Sequence, residues 1–487
     1  MSFEELTISD LHDGLRSGTI TSVALTLWYL DRIAESALNA VVSVNPKALA
    51  EAAAADAEFA AGGLTGPLHG VPVLIKDQAE TKGIPTSFGS QLFADYLPDR
   101  DATVVQRLRQ AGAIILAKTT MCDFAAGWFS SSSRSGHTSN AYATNRDSGG
   151  SSAGSGSGVA ANLGLVGVGE DTGGSIRIPA SFNNLFGLRV TTGLISRVGF
   201  SPLVHFQDTP GPMARTTVDL AVLLETMVGY DAQDPFTVVA ATAPRAPYAD
   251  AVTHPETLLS MRVGVLESGF GSDDNARSAP VNVVVRAAIN ELAGRGATLV
   301  PELRIAELGA AIANTSVYVK QSKADVTAFL AGRPGPVHRF EDIYQKNAFH
   351  PENDLFHGIM TGPDDPDADP ENLRLRLNQQ HFQRRVLALF ADNDVDVIVY
   401  PTVQVVPPTH EELAIGLYTA STFPTNTVIA SQAGLPALSM PVGLTADGLP
   451  IGLEVLGVPF SEHVLLRFAA AWEAATRPRR APTDAHA

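Results

Sequence analysis

The chain has few of the residue types that usually announce a mechanism. It contains one cysteine in 487 residues, Cys122. That excludes an internal disulfide and a cysteine-built zinc site, and it suits a reducing cytoplasm, the expected location. Lysine is scarce, seven residues against 27 arginines. Only 17% of residues are charged, and the formal net charge is −17. That sign argues against direct contact with nucleic-acid phosphates or anionic lipid. The N-terminal "MSFEELTISDLHDGLRSG" lacks the basic start and apolar core of a signal peptide. The longest apolar run there, "VALTLWYL", is too short to cross a bilayer. No internal repeat and no linker between separate cores stands out. With 45% hydrophobic residues the chain can bury an extensive core, and one domain over 1–487 is expected.

Residues 1–61 read as an N-terminal helical segment. Ser22 is a candidate cap for a helix whose Leu25, Trp28, Tyr29 and Ile33 share a face. "PKALAEAAAADAEFAAGG" is rich in helix formers and stops at Gly62-Gly63. Strand candidates follow at 70–77, 114–119, 165–171, 262–268 and 395–402. Helical stretches at 102–111, 217–228, 281–294 and 380–392 lie between them. This alternation indicates an α/β protein with a parallel or mixed sheet. The acidic, proline-rich 362–374 reads as a solvated excursion or a lid, and 476–487 as a polar tail that frays.

One stretch, "DSGGSSAGSGSGVAANLGLVGVGEDTGGSIRIPA" (147–180), concentrates six serines and no histidine. "GSSAG" fits a nucleophile elbow centred on Ser152, but no strand pattern precedes it. "GSGVAA" loosely fits a dinucleotide fingerprint with the same defect. The second half reads as strand, Gly-Gly turn, serine, and a helix starting near Pro179. The amides of Thr172, Gly173 and Gly174 could converge there as an oxyanion site, or the segment could be an ordinary strand-to-helix turn. The base is harder to find. No histidine is near these serines in sequence, "HEEL" (410–413) lacks the second histidine of a zinc motif, and no Ser-x-x-Lys occurs. Lys76 closes the apolar strand "VPVLIK". It either snorkels outward, or it is a buried amine whose pKa falls from about 10.4 toward neutrality and serves as the base.

These residues resemble the amidase signature family, over roughly 38–230 and 395–457. The core of the resemblance is "GGSSAGSGSGVAANLGLVGVGEDTGGSIRIPASFNNLFGLRVTTGLIS". "GPLHGVPVLIKD" and "RDATVVQRLRQAGAIILAKTTMCDFA" support it upstream, and "GLPALSMPVGLTADGLPIGLEVLG" downstream. The resemblance implies one α/β/α domain with a mixed, twisted sheet of about ten strands flanked by helices. Its catalytic core would span 70–230, with a helical insertion near the substrate pocket at about 300–390. It also implies a Ser-Ser-Lys triad: Ser175 as nucleophile, Ser151 as the bridging serine after a cis Gly150–Ser151 bond, and Lys76 as base. Thr172, Gly173 and Gly174 would supply the oxyanion amides. Ser152, Asp171 and Arg177 would brace the site. No metal and no organic cofactor is called for. The sequence departs from the family pattern at Glu170, where a threonine is common, at Ala153 and Gly156, at Arg189-Val190 and at Asn183.

The family hydrolyses amides, and some members take carbamates or esters. Substrate contacts are sought in 124–138, 200–208 and 313–360. Gly127, Trp128, Phe129, Phe206 and Tyr318 are the candidates, each weighed against ordinary core packing. Aromatic walls would favour an aryl or long-acyl amide, or an aryl carbamate. The expected partner is such a small molecule, with neither nucleic acid nor membrane, and a homodimer is an option the family offers. The rival within the family is the glutamine-hydrolysing component of a tRNA-dependent amidotransferase, which shares the triad. "SSSSRSGHT" and "VHFQDTPGPM" look unlike that component. An α/β-hydrolase built on Ser152 and a catalytically silent binding protein are the remaining alternatives.

Overall fold

A computed structural model describes residues 3–243, 247–253, 258 and 261–483. Its frame is a single mixed sheet of eleven strands. In chain order these are β1 (Val41–Val44), β2 (Pro72–Lys76), β3 (Ile114–Thr119), β4 (Val166–Glu170), β5 (Phe186–Arg189) and β6 (Pro210–Ala214), followed by β7 (Arg262–Leu266), β8 (Thr298–Leu303), β9 (Val397–Pro401), β10 (Ala437–Leu444) and β11 (Pro450–Leu456). Across the sheet they run β1-β3-β2-β4-β6-β5-β10-β11-β9-β7-β8.

The strands legible in the sequence are the apolar, β-branched ones, β2, β3, β4, β7 and β9. The six others carry proline or glycine, as in "PGPMA" and "FGLR", or are short, and so lack a period-two signature. One of them, β1, corrects the reading of 1–61 as wholly helical. "VVSV" pairs antiparallel with β3 at the sheet edge, between the helices Ser22–Glu35 and Ala48–Gly62. The first of these helices is capped by Thr21, whose hydroxyl accepts from the Ala24 amide, rather than by Ser22. The helix expected near Pro179 starts at Arg177. The acidic segment resolves into a loop and a helix, Pro370–Asn393, capped by Asp369.

The tail expected to fray is docked as far as Arg480. Arg479 pairs with Glu5 and donates to the Ala160 carbonyl and the Tyr142 hydroxyl, and the Arg480 amide donates to Asn184. A guanidinium with five donors can tie down a polar tail that its hydropathy would leave loose. Residues 484–487 lie outside the described residues. Among the described residues no helix is long and apolar enough to cross a membrane.

Two features position the site. Helices on both faces bury the sheet in a large aliphatic core, so that β2, β3 and β4 are buried along their whole length. A second, aromatic cluster joins Phe88, Phe124, Trp128 and Phe129 to Tyr318, Phe329 and Phe356 of the helical insertion. That cluster fixes the insertion over the C-terminal ends of β2 and β4, where α/β proteins keep their clefts.

Candidate active site

Lys76 reaches the site because of strand register. β2 and β4 run parallel with Ile75 opposite Val168, which brings the end of β2 level with Glu170. The Lys76 side chain is 0% exposed. Its Nζ lies 2.8 Å from Ser151 Oγ and 3.1 Å from the Glu170 carbonyl oxygen. The outward, snorkelling reading of Lys76 is therefore excluded. Burial lowers its pKa, opposed by the nearby Glu170 carboxylate.

Ser151 follows a cis Gly150–Ser151 peptide bond. Ser152 begins the helix Ala153–Ala160, and its amide donates to the Ser175 carbonyl at 3.1 Å. Its hydroxyl lies 3.3 Å from both the amide and the carbonyl of Glu170. Ser152 thus laces the Ser151 turn to the strand end and to Ser175, which is bracing geometry. The other serines of the stretch are also spent on backbone: Ser148 donates to Ala153, Ser155 to Val168 and Ser157 to Ser139.

Ser175 lies in the turn between β4 and the helix Arg177–Phe182 and is 2% exposed. Among the described residues its hydroxyl has no hydrogen-bond partner: the Lys76–Ser151 link is formed, while Ser175 is tied only to the neighbouring Ser152 amide through its carbonyl. Catalytic hydrogen bonds in unliganded sites are often long and tighten on substrate. Gly173 and Gly174 are needed for space. A Cβ on Gly174 (φ +143°) would sit 2.0 Å from Thr427 Oγ1, and one on Gly173 would sit 2.4 Å from Tyr318 Oη. Thr427 holds the turn by donating to the Gly173 carbonyl at 2.7 Å, and Gln207 holds it through the Thr172 carbonyl at 2.7 Å.

Below the turn sits a buried ion network. Asp171 faces Arg177 at 3.1 Å and Arg189 at 3.0 Å, and Arg177 also pairs with Glu454. Burial alone would raise the Asp171 carboxyl, but the two guanidiniums outweigh it and hold its pKa at about 2. Arg177 further donates to the Thr427 carbonyl and to Ser431. These contacts tie Asp171 and Arg177 to the turn. The departure at Arg189 supplies a second cation to the same carboxylate. Replacing Arg177 with Met leaves Glu454 buried without its cation and Asp171 with Arg189 alone. It is expected to cost about 3–5 kcal/mol in urea unfolding, whereas a surface ion pair is worth under about 1.

Sequence reasoning missed several partners. Glu170 Oε2 is 3.6 Å from Lys76 Nζ and has no hydrogen-bond partner. The Thr172 hydroxyl bridges Glu170 and Asp208, at 3.3 and 2.6 Å. Burial raises the pKa of both carboxyls. A second buried amine, Lys118 on β3, stands 3.5 Å from Asp77; burial lowers its pKa to about 8. Lys118 donates to Thr86 and to the Ala79 carbonyl, so it ties loops together. The departure of Glu170 from the family pattern was the one available signal. Glu454, 277 residues from Arg177, left none.

A cavity of about 770 Å³ lies next to this turn: no residue of 172–175 lines it, but two of its walls, Trp128 and Tyr318, stand against Gly173. Trp128, Tyr318, Phe423 and Thr425–Asn426 line one side, and Leu308, Ile312, Val319 and Leu355 of the insertion line the other. Two of the five candidate contacts, Trp128 and Tyr318, are among its walls. The other three are not. Phe129 packs against the far side of Phe423 with ring centroids 4.9 Å apart, Gly127 backs onto Asn353, and Phe206 lies under Arg376. Trp128 takes the wall position in place of its neighbours Gly127 and Phe129, while Phe206 stacks with Arg376 away from the lining.

The sequence model of the Amidase family matches residues 24–466. The A component of glutamyl-tRNA(Gln) amidotransferase from Deinococcus deserti is 34% identical over 456 residues, covering 90% of this chain and 89% of that protein. The native peptide amidase from Stenotrophomonas maltophilia superposes with a TM-score of 0.86 at 33% identity, covering 99% of each chain. The A component of glutamyl-tRNA(Gln) amidotransferase from Thermotoga maritima superposes with a TM-score of 0.76 at 25% identity, covering 99% of this chain and 98% of that one. The strand-end lysine, the serine turn after Gly149-Gly150 and the Gly-Gly-Ser turn all lie inside the matched span, and the chain belongs to the amidase family.

Proposed function

We propose that this hydrolase cleaves the amide of an uncharged, largely apolar substrate through an acyl-enzyme on Ser175, with Ser151 as proton bridge and Lys76 as base. The observation that carries the reading is the fully buried Lys76 amine hydrogen-bonded to Ser151. As a neutral amine, Nζ donates a hydrogen to the Glu170 carbonyl and offers its lone pair to the Ser151 hydroxyl. Ser151 passes its proton to Lys76 and takes one from Ser175, whose Oγ attacks the carbonyl carbon. The amides of the 172–175 turn support the oxyanion. The proton returns along the same path to the leaving nitrogen as the C–N bond breaks, and water repeats the sequence on the ester.

Substrate class is argued from the cavity. Among the described residues its lining includes no lysine, arginine or histidine, and one carboxylate, Asp354. Neutral donors are present, Gln404, Asn426 and Gln432 among them, but no cation that would pair with the α-carboxylate of free glutamine. These walls suit an amide with a neutral, partly apolar body and no anionic end. The second reading, the glutamine-hydrolysing component of an amidotransferase, is favoured by the names of the sequence relatives, the protein of Deinococcus deserti among them. The higher structural similarity to peptide amidase favours a free-standing enzyme. Assay of the purified chain alone on peptide amides, aryl amides, aryl carbamates and glutamine separates the two. Turnover of neutral amides without any added protein is expected. Glutamine turnover that appears only with amidotransferase partners would replace this reading with the second.

Glu170 gives the pH dependence its sign. The active form has neutral Lys76, so kcat/KM rises with pH through the folded pKa of the lysine. An ionised Glu170 at 3.6 Å stabilises the protonated amine and raises that pKa. Glu170→Thr removes this attraction, so the acid limb of the profile is expected to move about one to three units toward lower pH. A limb that moves upward would contradict the assignment of Lys76 as the base.

A further inference from the structure

We propose that His137, Asp147 and His410 form a binding site for a divalent transition-metal ion of the zinc type, with Glu352 as a fourth, oxygen ligand. The site is separate from the Lys76, Ser151 and Ser175 machinery. "HEEL" has no second histidine in its own helix, but the fold supplies one from elsewhere. One ligand atom from each of His137, Asp147 and His410 lies within 4.8 Å of the other two. Tetrahedral zinc with bonds of about 2.0–2.2 Å needs ligand atoms roughly 3.3–3.5 Å apart, so the set closes by small side-chain rotations. Glu352 Oε1 stands 3.5 Å from His137 Nε2.

Three further observations favour an ion over a bare cluster. His410 Nε2 is a buried nitrogen with no hydrogen-bond partner. His69 Nε2 is another buried, unpartnered ring nitrogen, but His410 differs from it in standing within the cluster of His137 and Asp147. The scaffold is braced where the ligands emerge. The Asp147 amide donates to the Pro408 carbonyl and the His410 amide to the Asn145 carbonyl, so two ligands sit on paired backbone. Asp147 Oδ1 accepts one hydrogen bond, from the Gly149 amide at 2.7 Å, and keeps a lone pair. The donor set is two imidazoles and two carboxylates with no thiolate. It suits zinc, nickel or copper over the all-oxygen cations calcium and magnesium, and its two negative charges balance a divalent ion. Bound there, the ion would join Glu352 of the insertion to Asp147, two residues before Gly149-Gly150-Ser151.

The test is calorimetric titration of chelator-treated full-length protein with zinc chloride at pH 7.5, paired with visible spectra of the cobalt(II) form. One equivalent is expected to bind with a Kd at or below about 10 μM. His137→Gln and His410→Gln should each weaken binding at least tenfold and Glu352→Gln less, while Ser175→Ala binds as wild type does. If a histidine variant melts earlier than wild type without metal, the cobalt spectrum of the wild-type protein decides. Intense bands of four-coordinate cobalt support the site, and the pale spectrum of six-coordinate cobalt overturns it. Binding weaker than about 10 μM, or unchanged affinity in both histidine variants, also overturns it.

Discussion

Ser175→Ala is expected to lower kcat/KM for any amide substrate by about 10⁴–10⁶-fold, the loss seen when a nucleophile that acts as part of a unit is removed. The fold should survive. Ser175 contributes its backbone carbonyl, not its hydroxyl, to the hydrogen bond with the Ser152 amide, and alanine retains that carbonyl. Equal melting temperatures with activity lost would separate chemistry from stability. Ser152→Ala makes the complementary case. Its hydroxyl braces the Glu170 backbone at 3.3 Å, and two weak hydrogen bonds of this kind are worth about 1 kcal/mol each. A reduction of about tenfold or less is expected, through a looser turn. A Ser152→Ala enzyme as dead as Ser175→Ala would return the nucleophile to the elbow reading.

The second large effect is at Lys76. Lys76→Met keeps the length and apolar stem of the side chain and deletes the amine. General-base catalysis contributes about 10²–10⁴-fold, and a loss of that size in kcat/KM is expected. The rising acid limb of the pH profile should disappear with it. Lys118→Met makes a fair control, because Lys118 is equally buried and its pKa is lowered to about 8, yet it binds the Ala79 carbonyl and the Thr86 hydroxyl rather than a serine of the site. It should cost stability and leave the shape of the pH profile unchanged. Loss of the acid limb in Lys118→Met but not in Lys76→Met would assign the base to the wrong strand.

How far the sequence foretold this site depended on the kind of information each residue carries. "VPVLIK" reads as a buried strand because its apolar run is continuous, and a lysine at its end stands out against that run. The Gly-Gly-Ser turn reads as special because glycine pairs between a strand and a helix are informative. Neither feature reveals that Lys76 and Ser151 touch. That contact depends on the parallel register of β2 and β4 and on a turn 75 residues away, and only the resemblance supplied it. The brace around Asp171 was half legible. Arg177 is six residues away in the next turn of chain, whereas Glu454 arrives from β11 and has no local pattern. The pocket was the least legible part. Trp128 and Phe129 are adjacent aromatic residues, and the backbone alone decides that one faces the cavity and the other the core. Strands that carry proline, such as β6 and β10, escaped for the same reason. Their place in the sheet is fixed by neighbours, not by their own propensity.

The central claim is that carbonyl transfer passes through an ester on Ser175. It is tested most directly by mass spectrometry of enzyme quenched during turnover of an aryl carbamate or activated ester, whose slow second step lets the covalent species accumulate. The expected result is one acyl or carbamoyl group per chain, on the peptide containing Ser175, decaying at the rate of turnover and missing from Ser175→Ala. An adduct on Ser152, or one that persists unchanged in Ser175→Ala, would contradict it.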